Sequence, residues 1–185
     1  RFHCDDVQLV DLSHPRGLDA MIRALDNTDL VVVDCRAAST EVFFNYFDEI
    51  DLPLTLKNLS TALTLVTPIN QEADSIDQLN RITDKLQNVC SYVVLRNTVH
   101  SDSFPLFENT VIRKRLLKEL GAKEITMSKL QPWLVEELSH HNLIITAAVA
   151  DGHLHLLDRQ RLQTWQRKFY AQIESVADLL LSGKP

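Results

Sequence analysis

Three stretches of the chain end in residues able to do chemistry. Leu30-Val31-Val32-Val33-Asp34 is an apolar run closed by a carboxylate. Read as a buried parallel strand, it delivers Asp34 to the carboxyl edge of a sheet, where a carboxylate can hold a magnesium-bound water. Tyr92-Val93-Val94-Leu95 leads into Arg96-Asn97. The Asn97 amide carries a donor and an acceptor together, which suits reading a purine edge. Ala62 to Thr67 is a third apolar run, stopped by Pro68. Each ending alone has an ordinary explanation. Asp and Asn open turns by bonding nearby backbone, and Pro ends strands because it lacks an N–H.

Other reactive residues give weaker patterns. His140-His141 and His153-x-His155 have no Cys or carboxylate at a metal-ligand spacing, and adjacent histidines on a helix point apart. Ser39 sits in no G-x-S-x-G elbow. Arg113, Lys114, Arg115 and Lys118, with Arg96 and Lys123, offer a local patch for nucleic acid or a partner. A solvated helix face explains the same residues more simply. Arg159, Arg161, Arg167 and Lys168 alternate with Trp165 and Phe169, whose four-residue spacing points to packing against a sheet.

The elements that must position these residues follow from the apolar periodicity. Val7–Leu12 reads as a short strand. A helix capped by Ser13, with Pro15 in its first turn, runs through Leu18, Met21, Ile22 and Leu25. Leu30–Asp34 is the next strand, and a helix follows over Thr40–Glu49. Pro53 breaks the segment after it. Residues 62–67 form a strand, 75–88 a helix, and 92–95 a strand with a polar loop from Thr98 to Pro105. Glu108–Leu120 is a helix closed by Gly121. Glu124–Met127 is a further strand, Pro132–His140 a short helix, and 157–181 one long helix. Strands alternating with helices make an α/β chain with a mostly parallel sheet, and nearly all-apolar strands place helices on both of its faces. Ligands in such sheets bind at the carboxyl ends of the strands.

The chain has 185 residues, 45% hydrophobic and 24% charged, with net charge −6 and a pI near 5.6. These values describe an ordinary globular domain able to bury its own core. The acidic balance argues against broad attraction to DNA or anionic lipid. Three widely spaced cysteines without a C-x-x-C suggest reduced thiols and a cytoplasmic protein. No apolar stretch is long enough for a membrane span.

The order of the parts is more specific than any one of them. Asp29-Leu-Val-Val-Val-Asp34, then a strand ending Val66-Thr67-Pro68, a helix opening at Asp74-Ser75, and Tyr92-Val-Val-Leu-Arg-Asn97 together resemble the ParA/MinD-type deviant Walker ATPases. The stretch from Phe107-Glu108 through the basic helix to Leu120-Gly-Ala-Lys-Glu-Ile125 is similar to the plasmid-stability and conjugal-transfer branch, the StbB- or TraL-like proteins. The resemblance covers most of residues 7–181. It implies that Asp34 is the Walker B carboxylate and orients magnesium through water. It also implies that Asn97 contacts the adenine, and that Thr67 and Pro68 line the nucleotide side of the sheet. ATP and Mg are the implied cofactors, with a homodimer closed by ATP and a DNA-binding or plasmid-encoded protein as partner.

One part of the family pattern is missing. No G-x-x-x-x-G-K-[ST] loop occurs in this sequence. Without its backbone N–H cradle and lysine, phosphates are neither held nor neutralised, so these 185 residues alone are expected not to hydrolyse ATP. The expectation is a single α/β domain over 1–185 lacking the N-terminal strand, phosphate loop and helix. Loss of that central strand leaves two apolar strand edges exposed. Two functions remain open: a ParA-like ATPase of plasmid maintenance, partition or transfer, an enzyme if the full-length protein carries the loop, or a non-catalytic binding module on the same fold.

Overall fold

Apolar β-branched runs with polar punctuation build a three-stranded parallel sheet: β1 (Thr64–Ile69), β2 (Ser91–Asn97) and β3 (Lys123–Met127), in the order β1-β2-β3. The structure is a computed structural model and describes residues 7–12, 14, 16–36, 39–150 and 152–181. Parallel neighbours need crossovers. Here they are α4 (Ala73–Leu86) between β1 and β2, and α5 (Pro105–Glu108) with α6 (Val111–Lys118) between β2 and β3.

Side chains alternate along each strand, and the two faces find different covers. Tyr92 and Val94 of β2 pack with Ile76, Leu79 and Leu86 of α4 and with Ile112 and Leu116 of α6. Val93 and Leu95 face the other way, with Ile125 of β3. They meet Ile173 of α9 (Leu156–Glu174), then Val176, and Leu179 and Leu180 of α10 (Ala177–Leu180). Both crossovers lie on one face, as two steps of one hand in one direction require. The result is an α/β sheet with helices on both faces and a long helix near the C-terminus.

The remaining helices sit around this centre. α1 (Asp19–Ala24), α2 (Thr40–Glu49) and α3 (Leu52–Leu59) precede β1, and α7 (Pro132–His140) and α8 (Ile145–Ala150) precede α9. Leu18, Phe43 and Tyr46 form a small core between α1 and α2. Leu134, Leu138, Ala148, Leu154 and Leu162 form another around α7, α8 and the start of α9. α2 is tied to α4 by ion pairs from Arg81 to Glu41 and from Lys85 to Asp48, and by a 2.9 Å bond from Gln78 to Thr40.

Several expectations change. Val7–Leu12 and Leu30–Asp34 are not strands. Leu9 is 86% and Val32 84% exposed, so both runs lie mostly open to solvent, and a strand without a neighbour has no ladder to join. The first helix shortens to Asp19–Ala24, and its expected cap Ser13 and Pro15 lie outside the described residues. Pro53 does not break the chain there. It sits in the first turn of α3, where no N–H is needed, and Asp51 caps that helix by accepting from Leu54 N–H. The helix expected over 108–120 divides at Asn109 and Thr110, because the Thr110 hydroxyl caps α6 by accepting from Arg113 N–H. Gly121 follows at φ 65°, a left-handed position suited to glycine. The last helix breaks at Ser175 and Val176 rather than running to 181, and α8 was not foreseen.

Candidate functional site at the carboxyl edge of the sheet

β1 and β2 bring three of the four expected site residues to one edge. Pro68 pairs in register with Leu95 and Thr67 with Val94, so Asn97 lies two residues past Pro68's partner. By alternation Pro68 and Asn97 share a face, with Val66, Val93 and Leu95. Thr67 points to the opposite face, toward α4. The pair on the shared face is therefore Pro68–Asn97, and Thr67 is not part of it. Asn97 is half-buried and its side chain makes no hydrogen bond among the described residues. Its amide is free to meet a ligand.

Pro68 does not stop its strand. Ser91 N–H donates to the Leu63 carbonyl at 2.9 Å, which turns Leu63 toward β2. Backbone groups of successive residues point to opposite edges. Leu65, Thr67 and Ile69 therefore also face β2, and Thr64, Val66 and Pro68 face outward. The missing N–H of Pro68 falls on the outer edge, where it breaks no ladder bond. That edge makes no backbone hydrogen bond among the described residues, and Val66 beside it is 43% exposed.

The opposite edge is closed. Met127 turns toward β2, since its carbonyl accepts from Thr98 N–H at 3.1 Å. Thr126 and Ser128 consequently face outward. Thr126 N–H donates to Gln172 Oε1 at 3.0 Å, and the Ser128 carbonyl accepts from Trp165 Nε1 at 2.6 Å. Side chains of α9 thus stand where a fourth strand would.

Asp34 is not brought to the site. It is exposed, lies outside the sheet, and has no hydrogen bond or ion pair among the described residues. Its expected position depended on Leu30–Val33 joining the sheet. The described residues bring Pro68 and Asn97 to one face of this edge without Asp34, and no phosphoryl-transfer step follows from them alone.

The basic helix is consumed by structure. Arg113 forks onto Glu124 at 2.6 and 3.2 Å, and this bond holds the guanidinium above its usual range. Arg96 pairs with Glu108 at 2.7 Å and with Glu124 at 3.6 Å, and lies 4.6 Å above the Phe104 ring. Arg115 pairs with Asp84, and Lys123 with Asp178 at 2.8 Å. Of the expected patch only Lys114 and Lys118 have no ion pair among the described residues. Trp165 and Phe169, expected to pack against the sheet, instead stack on each other at 5.5 Å, half-buried at the β3 edge, while Ile173 is the α9 residue packed into the core on that face.

The histidines cluster at the end of α7. The His141 ring stacks with His153 at 6.0 Å and meets His140 edge-on at 5.0 Å. Among the described residues, no group of three or more His, Cys, Asp or Glu is placed to hold a metal ion. No helix there is long and apolar enough to cross a membrane. Comparison with known proteins gave no matching family model, no matching curated protein and no matching solved structure.

Proposed function

We propose that this chain carries the base-binding side of a ParA-like ATPase acting in plasmid maintenance, partition or transfer. The observation that carries the reading is the unfilled outer edge of β1. One sheet edge is closed by α9, whereas the other is bare beside exposed Val66, and the apolar run Leu30–Val33 stands unpaired. The resemblance places a phosphate-loop strand at that edge, with the Walker B strand beyond it. Such a strand pairs with β1, gives Leu30–Asp34 a neighbour, and brings Asp34 to the carboxyl edge occupied by Pro68 and Asn97. Asn97 then reads the adenine, Pro68 packs against the base, and Asp34 orients magnesium through water.

The experiment is ATP turnover by the natural full-length protein. Asp34→Ala abolishes hydrolysis while leaving the circular dichroism spectrum unchanged. Normal turnover in that variant refutes the role of Asp34.

The second reading, a non-catalytic binding module, is favoured by the exposed Asp34. In that case the bare β1 edge takes a partner strand through main-chain bonds. Absence of Mg·ATP binding by the natural full-length protein decides for it.

A further inference from the structure

The side-chain amides at the carboxyl edge differ in what they hold. Asn70 is fully engaged: its Oδ1 accepts from Glu72 N–H at 2.9 Å and its Nδ2 donates to Glu72 Oε2 at 3.2 Å. The Asn97 side chain makes no hydrogen bond among the described residues. Gln71 is engaged at one end only. Its Nε2 donates to the Ser101 carbonyl at 2.6 Å, and its Oε1 is buried without a partner among the described residues. Only the NH₂ end of an amide can meet a carbonyl, so the orientation of Gln71 is fixed.

The segment it holds begins immediately after Asn97 and Thr98. Val99 to Ser103 are all exposed, between buried Thr98 and buried Phe104. Thr98 is anchored on β3, donating N–H to the Met127 carbonyl and accepting at Oγ1 from Lys129 N–H at 3.0 Å. Phe104 lies in the core beneath Arg96. Among the described residues, Gln71 makes the one hydrogen bond from outside to residues 99–103. The bond from Ser103 N–H to Ser101 Oγ at 3.1 Å is internal to the segment.

We propose that Gln71 is a positioning residue, a latch that straps Val99–Ser103 across the exits of β1 and β2 and so fixes the surroundings of Asn97 for an adenine nucleotide. The latch stands on the geometry alone, and its consequence for the ligand rests on the ATPase reading. A strap pinned at both ends and tied once in the middle has two arrangements. Released, it uncovers the unpaired Gln71 acceptor and frees the chain that leads away from Asn97. One neutral hydrogen bond biases such an equilibrium by roughly fivefold.

The test uses the natural full-length protein without nucleotide, and backbone ¹⁵N relaxation. Wild type gives order parameters of about 0.85 over 99–103, and Gln71→Met lowers them below about 0.6 with β2 and α4 unchanged. Gln71→Lys, whose ammonium still donates to Ser101, restores them. In Mg·ATP titrations Gln71→Met binds roughly fivefold more weakly, and Gln71→Lys recovers most of the loss. Unchanged order parameters in Gln71→Met overturn the latch. A loosened strap with unchanged ATP affinity overturns its link to the base site. A wild type that binds no ATP overturns the nucleotide reading and that link together, while the relaxation comparison still decides the latch.

Discussion

Gln172 stands beside Thr126 as a substitute strand. Its side-chain oxygen accepts the Thr126 N–H at 3.0 Å, and Trp165 does the matching work on the Ser128 carbonyl at 2.6 Å. The sheet therefore has one edge closed by its own chain and one left bare. Gln172→Ala is expected to cost about 1 kcal/mol of stability in urea unfolding, since it leaves a part-buried donor without its partner. In the same 185 residues, where the β1 edge is bare, Val66→Lys is expected to stay within about 0.5 kcal/mol, as for an exposed site without a partner. Equal effects at the two edges contradict the asymmetry.

Arg113 of the basic helix and Arg96 of β2, which share one acid, make a second prediction. Glu124 is held by both Arg113 and Arg96 and is mostly buried. Glu124→Ala leaves two guanidinium groups short of their acceptor, and a destabilisation of about 2 kcal/mol is expected. Lys114→Ala, with no ion pair to lose, is expected to be neutral. Denaturant midpoints for the two variants check this directly. A nucleic-acid role for the helix predicts the reverse pattern, with Lys114→Ala and Glu124→Ala altering DNA binding before stability.

Alkaline pH tests the packing of two cores, the one beneath β2 that holds Cys90 and the one between α1 and α2 that holds Tyr46. Burial pushes the Cys90 thiol up to about 11, against a smaller lowering effect of the neighbouring Tyr92 hydroxyl. Burial pushes Tyr46 up to about 12, helped by the neighbouring Asp19 charge. Both groups are neutral in the fold and ionise more easily once unfolded. Their contribution is present in full below the unfolded thiol value of about 8.5 and is lost as pH rises through about 11 for Cys90. Thermal midpoints are expected to drop between these limits, less steeply in Cys90→Ala. A drop of equal slope in that variant assigns the effect elsewhere.

Much of this arrangement is legible in the sequence, and the failures share a cause. Thr40–Glu49 and Pro132–His140 form the helices their apolar spacing predicts, because that periodicity, and Pro132 in the first turn of the second helix, are local signals. The three strands of the sheet are legible for the same reason. Leu30–Asp34 has equal strand character and is not a strand, since a strand also needs a neighbour and no run of residues encodes one locally. Pro68 reads as a stop, yet β1 continues through it because its missing N–H faces the bare edge. Gln71 and Ser101 are 30 positions apart, and a single side-chain bond over that distance leaves no periodic trace.

The pairing of Pro68 and Asn97 on one face is legible only as two separate strand endings. Parallel register joins them. Asp34, the third member expected there, needs a filled β1 edge, which makes it the part of the account most open to refutation.

Calorimetric titration of the natural full-length protein with Mg·ATP, in wild type and Asn97→Ala, tests the central claim most directly. The account predicts saturable binding that Asn97→Ala weakens by roughly tenfold, the loss of a paired amide at a base edge. No binding by wild type, or equal affinity in the two proteins, contradicts it.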